Sequence, residues 1–308
     1  MSTTVLYDAP GPRARRISRI ISIVGIIAIA AGLVALAFAL GAPRVSANGA
    51  EQPGMWDPTR WDVLNDRAVW RGVGDGVLGT LRMAGVAAVG AIAIGILFSF
   101  GRTARTAWIR VPVTIVLEFV RGMPVLLMML FILLIFATGA YWAGVIALAL
   151  YNGAIIGEAL RAGIASLPRG QRESGLAVGL TPLQTRLSIE FPQAFRQMLP
   201  IIIAQLVVLL KDTSLAYIIG YPELLRKVAQ QMPNFFGNRY FFTFFFLALV
   251  IYLAMNLTLS WIARVIARRT AGGYVRRGGG RRPKGPMAPI VEPDGGVEQT
   301  AAALSPPR

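Results

Sequence analysis

The chain contains no cysteine and no histidine in 308 residues. The first absence excludes disulfides and thiolate nucleophiles. The second removes imidazole acid–base chemistry and His-based metal ligation, so neither a catalytic residue nor a metal site is expected. Lysine is almost missing as well. It occurs only at Lys211, Lys227 and Lys284, and none of these follows a glycine-rich phosphate-cradling loop. The chain is therefore expected not to hydrolyse ATP by that mechanism. If ATP drives it, ATP and Mg are bound by a partner ATPase, and this chain carries no cofactor of its own.

Acidic residues are scarce, 15 against 31 basic ones, for a net charge of +16. In a soluble protein that balance would suggest nucleic acid. Here the excess lies mostly in short segments beside apolar runs, which the positive-inside rule explains. The expectation is orientation in a bilayer, with some attraction to anionic membrane lipid, and no nucleic-acid partner.

What is abundant is apolar surface: 55% of residues are hydrophobic and the mean hydropathy is +0.58. Several uncharged runs are long enough to cross a hydrocarbon core of about 30 Å. Without water to satisfy the backbone they must be helices, since no barrel-like alternation is present. The fold class expected is an all-α integral membrane protein with six transmembrane helices.

Residues 1–16 read as a cytoplasmic tail and 17–41 as an N-terminal transmembrane helix spanning about 20–41. The alternative is a secretory leader, because Val45-Ser46-Ala47 resembles a cleavage site. The apolar run exceeds the ~7–15 residues of a leader's core, so the helix is expected to be retained, uncleaved after Ala47. Residues 42–75 hold four arginines, five acids and Trp56, Trp61 and Trp70, a near-neutral aromatic segment suited to the outer side. A second span follows at about 76–100, with Gly85, Gly90 and Gly95 offering close helix approach. No charge occurs in 122–157, which is too long for one helix and fits a third and fourth span turning near Thr138-Gly139. A basic cytoplasmic loop at 166–198 precedes a fifth span at about 199–219, with Lys211-Asp212 near its middle. An outer loop at 221–239, a sixth span at about 240–263 and a disordered basic cytoplasmic tail at 269–308 complete the chain. Both termini are then cytoplasmic.

The loop has its own punctuation. Pro168 suits the first turn of a helix that Gly179 stops in left-handed conformation. Thr181, Pro182 and Gln184 form the N-cap, first position and capping-box residue of a second short helix, which Phe191-Pro192 is expected to end. At this point the sequence resembles the permease subunits of bacterial ATP-binding-cassette importers. Their cytoplasmic "EAA" loop reads Glu-Ala-Ala, three residues, Gly, nine residues, Ile, one residue, Leu-Pro. Here Glu173-Ser174-Gly175, Gly179, Ile189 and Phe191-Pro192 keep every spacing, with Ser174, Gly175 and Phe191 departing in identity.

Three further stretches resemble the polar amino acid (glutamate/histidine-type) permeases of that family: Arg121-Gly122-Met123-Pro124, the run from Glu158 through Arg161 to Ile164 with Gly170-Gln171, and Lys211-Asp212-Thr213-Ser214-Leu215. The likeness covers about 76–263, a five-helix core taken as 76–268, and within the group is nearest actinobacterial glutamate-type permeases. It implies a type I importer permease fold in the bacterial plasma membrane. It also implies a second permease subunit, identical or homologous, two ATP-binding subunits and an extracytoplasmic amino acid-binding protein. Glu173, Ser174, Gly175, Gly179, Ile189 and Pro192 would couple to the ATPase, and transport would proceed by alternating access.

Each feature has a plainer reading beside it. The loop could be a mere connector, but its spacing and capping signals favour coupling. Lys211 and Asp212 could be packing contacts. Adjacent helix positions point ~100° apart, so each should meet a different partner, and Thr213 and Ser214 could merely bond back to their own helix. Glu158 and Arg161 could be a local i,i+3 ion pair, or could meet the amino and carboxyl groups of a substrate. Two rival functions stand beside the importer: an ion-coupled secondary transporter with Asp212 or Glu158 as proton site, and a non-transporting membrane anchor.

Overall fold

The computed structural model describes residues 11–45, 49 and 51–275, with side chains described through residue 266. Pro12 at the helix start, followed by arginines that propagate helix well, opens α1 (Pro12–Gly41) eight residues ahead of its apolar run. No residue of α1 is buried; among the described residues its C-terminal end is the part tied down, where the Trp56 indole donates to Ala37 O at 2.9 Å and the Met55 N–H to Leu40 O at 2.9 Å. The cleavage site expected after Ala47, residues 1–10 and the tail beyond 275 lie outside the described residues.

A two-stranded pair, β1 (Arg44–Val45) and β2 (Glu51–Gln52), starts the segment between α1 and the second span, and two 3-10 turns follow it. Asp57 caps the first turn. Its carboxylate accepts the Thr59 N–H and hydroxyl, and these bonds hold its carboxyl below the usual carboxylate range. Arg60 is 7% exposed and clamps the segment in place. Its guanidinium donates to Pro53 O at 2.9 and 3.0 Å and to Arg239 O at 2.7 Å.

The second span is longer than expected. Asp66 accepts the Ala68 N–H at 2.8 Å and starts α2 (Arg67–Arg102), nine residues ahead of position 76. Its early glycines are contact surfaces rather than breakers. A Cβ on Gly76 would lie 3.0 Å from the Leu224 backbone, and one on Gly79 would lie 2.9 Å from Pro222 O.

After α2 come α3 (Ala107–Gly122) and α4 (Val125–Phe136), bent by 107° at Met123-Pro124. At 12 residues α4 is about 18 Å long, so in place of the expected straight third span there is a bent pair, a broken span or a re-entrant loop. The turn near Thr138-Gly139 is present, with Ala137 at φ 47° and Gly139 at φ 76°. It leads into α5 (Gly139–Ala165). The loop then forms α6 (Arg169–Ala177) and α7 (Pro182–Thr185), and α8 (Phe191–Asp212) follows.

The expected outer loop is largely helical: a wide turn at Leu225–Gln231, then α9 (Met232–Phe236). The last helix, α10 (Phe241–Val275), runs past the expected end of the sixth span and makes 269–275 helical rather than disordered. Among the described residues five helices are long and apolar enough to cross a membrane, or six if the bent α3–α4 pair is one span.

Apolar burial gives helices no hydrophobic gain against lipid, so close packing must hold them together. Small residues supply it between α2 and α5. A Cβ on Gly95 would meet Ile156 Cγ2 at 2.7 Å, and one on Gly157 would meet Gly95 O at 2.9 Å. Gly90 also faces α5, at Ala149, whereas Gly85 faces open space. Gly157→Ala should therefore destabilise the purified subunit by about 1–3 kcal/mol through overpacking. Gly85→Ala should change stability by less than about 0.5 kcal/mol. Equal melting midpoints for the two variants in detergent would refute this account.

Candidate functional site

The 169–190 segment folds as a knob of two short helices meeting at Gly179. Gly179 has φ +85°, a left-handed conformation that glycine adopts without strain. Its N–H donates to Leu176 O at 3.0 Å, and the Leu180 N–H to Gly175 O at 3.2 Å. The Thr181 hydroxyl accepts the Gln184 N–H while the Gln184 side chain accepts the Thr181 N–H at 2.8 Å, completing a capping box. Gly175 is buried, and a Cβ there would lie 2.5 Å from Thr185 Cγ2 and 3.0 Å from Ile189 Cδ1. This contact locks α6 onto α7 and the turn after it. Glu173 and Ser174 stand exposed on α6.

Sequence reasoning missed the knob's apolar face. Leu176, Val178, Leu183 and Leu187 are 40–77% exposed. Four large aliphatics on a loop rich in arginine form a surface suited to a protein partner. The signal lay in the sequence, as isolated aliphatics inside an otherwise polar loop.

Phe191-Pro192 does not end the second helix. From Pro182 the chain runs helically to Tyr217. A proline inside a helix lacks one N–H, and its ring clashes with the carbonyl four residues back. Here the preceding turn, Arg186–Glu190, is π-helical, and the Phe191 N–H reaches Arg186 O five residues back. The wider turn accommodates Pro192, so α7, the π-helical turn and α8 form one unbroken helical arm. Phe191 packs this arm against α2, its ring 5.2 Å from Phe100.

Glu158 and Arg161 do pair, at 2.6 Å, but not alone. Arg102, at the end of α2, reaches Glu158 at 2.7 Å and Glu118 of α3 at 3.0 Å, and Glu118 also faces Arg121 at 3.5 Å. Five charges thus tie α2, α3 and α5 together. The Glu158 carboxylate is engaged on both oxygens before any substrate arrives.

The Lys211-Asp212 pair lies at the end of its helix, not near the middle of a span. The span begins earlier than expected, and α8 passes into a 3-10 turn at Thr213–Tyr217. At the carbonyl end of a helix a cation is favoured by the macrodipole and an anion is not. Lys211 is exposed and Asp212 half-buried. Among the described residues, neither has a hydrogen-bond or ion-pair partner on another helix. Lys211 continues an open stripe of α8 formed by Ile201, Ala204 and Val208. Thr213 is buried, and its hydroxyl donates to Leu210 O at 2.7 Å. Ser214 is half-buried.

Two further polar contacts went unpredicted. Asn152 of α5, fully buried, accepts from Gln205 Nε2 of α8 at 2.8 Å, a tie between two spans. Glu223, also fully buried, accepts the N–H groups of Leu225 and Arg226 and the Tyr252 hydroxyl of α10. It turns the expected outer loop into a packed element. Among the described residues no group of three acidic side chains could hold a metal.

Comparison with known proteins gives a consistent picture. The family model described as "Binding-protein-dependent transport system inner membrane component" matches residues 91–272. A glutamate transport system permease protein of Corynebacterium glutamicum is 34% identical over 255 residues, 80% of this chain and 90% of that one. A probable glutamine ABC transporter permease protein of Bacillus subtilis is 34% identical over 197 residues, 62% of this chain and 89% of that one. Among solved structures, an amino acid ABC transporter with histidines aligns at TM-score 0.61 and 28% identity, covering 68% of this chain and 98% of that one. The MetNI methionine ABC transporter shares the fold at TM-score 0.57 and 18% identity, over 67% and 99% of the two chains.

Proposed function

The chain belongs to the family of binding-protein-dependent transport system inner membrane components, and on that premise we propose that it moves a polar amino acid, glutamate first and glutamine next, through the plasma membrane by alternating access. The observation that carries this reading is the knob at 169–190. It exposes aliphatic surface at the end of an unbroken helical arm, in a chain with no nucleotide-binding loop of its own. An ATPase dimer closing on two such knobs would swing the α8 arms as rigid bodies.

The assembly is a pair of permease subunits, identical or homologous, with two ATP-binding subunits inside and an amino acid-binding protein outside. The knob and both termini face the cytoplasm, and 42–75 faces outward. Glutamate is favoured by the name of the Corynebacterium relative and glutamine by that of the Bacillus one. In the coupling loop, Glu173 and Ser174 offer polar contacts to the ATPase. Gly175 and Ile189 lock the knob, Gly179 sets the angle between its helices, and Pro192 marks the junction with the arm. Along the path we assign Lys211, Asp212 and Ser214 to the substrate. Glu158 and Arg161 are given to the inner charge network, and Thr213 to the α8 end.

Uptake of labelled glutamate and glutamine by cells with and without this gene tests the proposal. Uptake should stop on ATP depletion with the proton gradient maintained and survive a protonophore with ATP maintained. The reverse pattern would establish the ion-coupled transporter instead.

A further inference from the structure

Arg186 lies outside every motif above. Yet, among the described residues, it makes the side-chain hydrogen bonds that run from the knob to α2. Its Nη1 donates to the Thr103 carbonyl and to Thr103 Oγ1, both at 3.0 Å. Thr103 is the C-cap of α2, where helix carbonyls lack intrahelical donors and a cation is favoured by the dipole. Arg186 Nε lies 3.8 Å from Glu190, one turn on, and both side chains are largely shielded, at 22% and 12% exposure. Arg186 is also the first residue of the π-helical turn that accommodates Pro192. The neighbour of Thr103 in the chain is Arg102, which grips Glu118 of α3 and Glu158 of α5.

We infer that Arg186 is a positioning residue, a strut that carries displacement of the knob to the end of α2 and, through Arg102, to α3 and α5. The inference rests on the ATPase-docking reading of the knob. Without the strut, the knob still joins α8 through the backbone and still presents its aliphatic face. What remains against α2 is the apolar contact of Phe191, at the start of α8, with Phe100, and apolar contacts slide more readily than hydrogen bonds with fixed direction. The ATPase would close as before while α2 followed incompletely.

The test uses the complete importer in proteoliposomes, measuring ATP hydrolysis together with uptake of labelled glutamate or glutamine, whichever the wild type transports. Arg186→Ala should keep ATPase co-purification and leave hydrolysis within about twofold, while uptake per ATP falls about tenfold. Arg186→Lys, which can still donate to one acceptor, should recover to within about threefold of wild type. Thr103→Val removes an acceptor without touching the knob and should lower uptake per ATP by about threefold. The double variant should be no worse than Arg186→Ala, since both remove one interaction.

Unchanged uptake per ATP in Arg186→Ala, additive losses in the double variant, or loss of ATPase binding matching the loss of uptake would each overturn the strut. If Arg186→Ala fails to assemble, Thr103→Val at wild-type coupling overturns it alone. Wild-type uptake without ATP would instead defeat the docking reading itself, and the strut with it.

Discussion

Gly179→Pro should leave the chain inserted in the membrane yet abolish stable association with the ATPase and, with it, uptake. The reason is local. Gly179 sits at φ +85°, whereas proline holds φ near −65°, so the two conformations exclude each other. Proline also deletes the N–H that bonds Leu176 O. Forcing the native angle costs about 3 kcal/mol, which corresponds to roughly a hundredfold in docking affinity. The knob would otherwise rearrange, turning α6 away from α7 and breaking the contact between Gly175 and Thr185. The spans are spared because no membrane helix depends on this turn.

Gly179→Asn is the matched control. Asparagine tolerates the left-handed region, and a Cβ at this position meets nothing within 4 Å. It should retain ATPase co-purification within about threefold, given a strain of well under 1 kcal/mol. Normal co-purification and uptake in the proline variant would sink the coupling role of the knob. Equal loss in both variants would mean that glycine matters here for something other than its backbone angle.

What could be read from the sequence was chemistry that closes within a few residues. Gly179 as a left-handed stop and Thr181 with Gln184 as a capping box each involve neighbours three or four positions apart. The Glu158–Arg161 pair is of the same kind. The misreadings share the opposite property. Residues 67–75 look like part of the segment before the second span until the helix is seen to start at Arg67, with Pro222 and Leu224 lying against its Gly79 and Gly76.

Pro192 looks like a helix end until the wide turn before it is seen to relieve the clash. Residues 221–239 look like an outer loop because Pro222, Glu223 and Gly237 are punctuation in sequence. In the structure Glu223 is satisfied by two backbone N–H groups and by Tyr252, 29 residues away. Arg102 is in sequence one arginine among several after the second span, and the carboxylates it holds lie 16 and 56 residues on. In each case a partner distant in sequence changed what a residue meant.

Lys211→Met and Asp212→Asn should each reduce uptake strongly while leaving assembly intact. A charge at a helix centre costs about 2.5–3.5 kcal/mol on insertion scales, and less near a helix end. The position of Lys211 at the carbonyl end of α8 reduces that cost without removing the exposure. Lys211 shares its open stripe with Ile201, Ala204 and Val208, residues that would suit lipid. An ammonium does not suit it. A water-filled path, a second subunit or the headgroup interface beside this stripe would each keep the charge out of hydrocarbon. Neither charge supports the fold of the single chain through a partner on another helix, so neutralising them should not unravel it.

The polar path gives the stronger account of why both signs occur side by side. Lys211 suits a carboxylate and Asp212 an ammonium, and an amino acid presents both. A hydrogen bond to a charged group contributes about 1.5–3 kcal/mol, so losing one should lower uptake efficiency roughly ten- to a hundredfold. The decisive variant carries both substitutions. If the charges serve only packing between subunits, the double neutral variant assembles less well, and uptake falls in proportion to the complex recovered. If the chain is a passive anchor, the double variant assembles and functions as before. If the pair meets the substrate, the complex is recovered in full, ATPase association is normal, and uptake alone is lost.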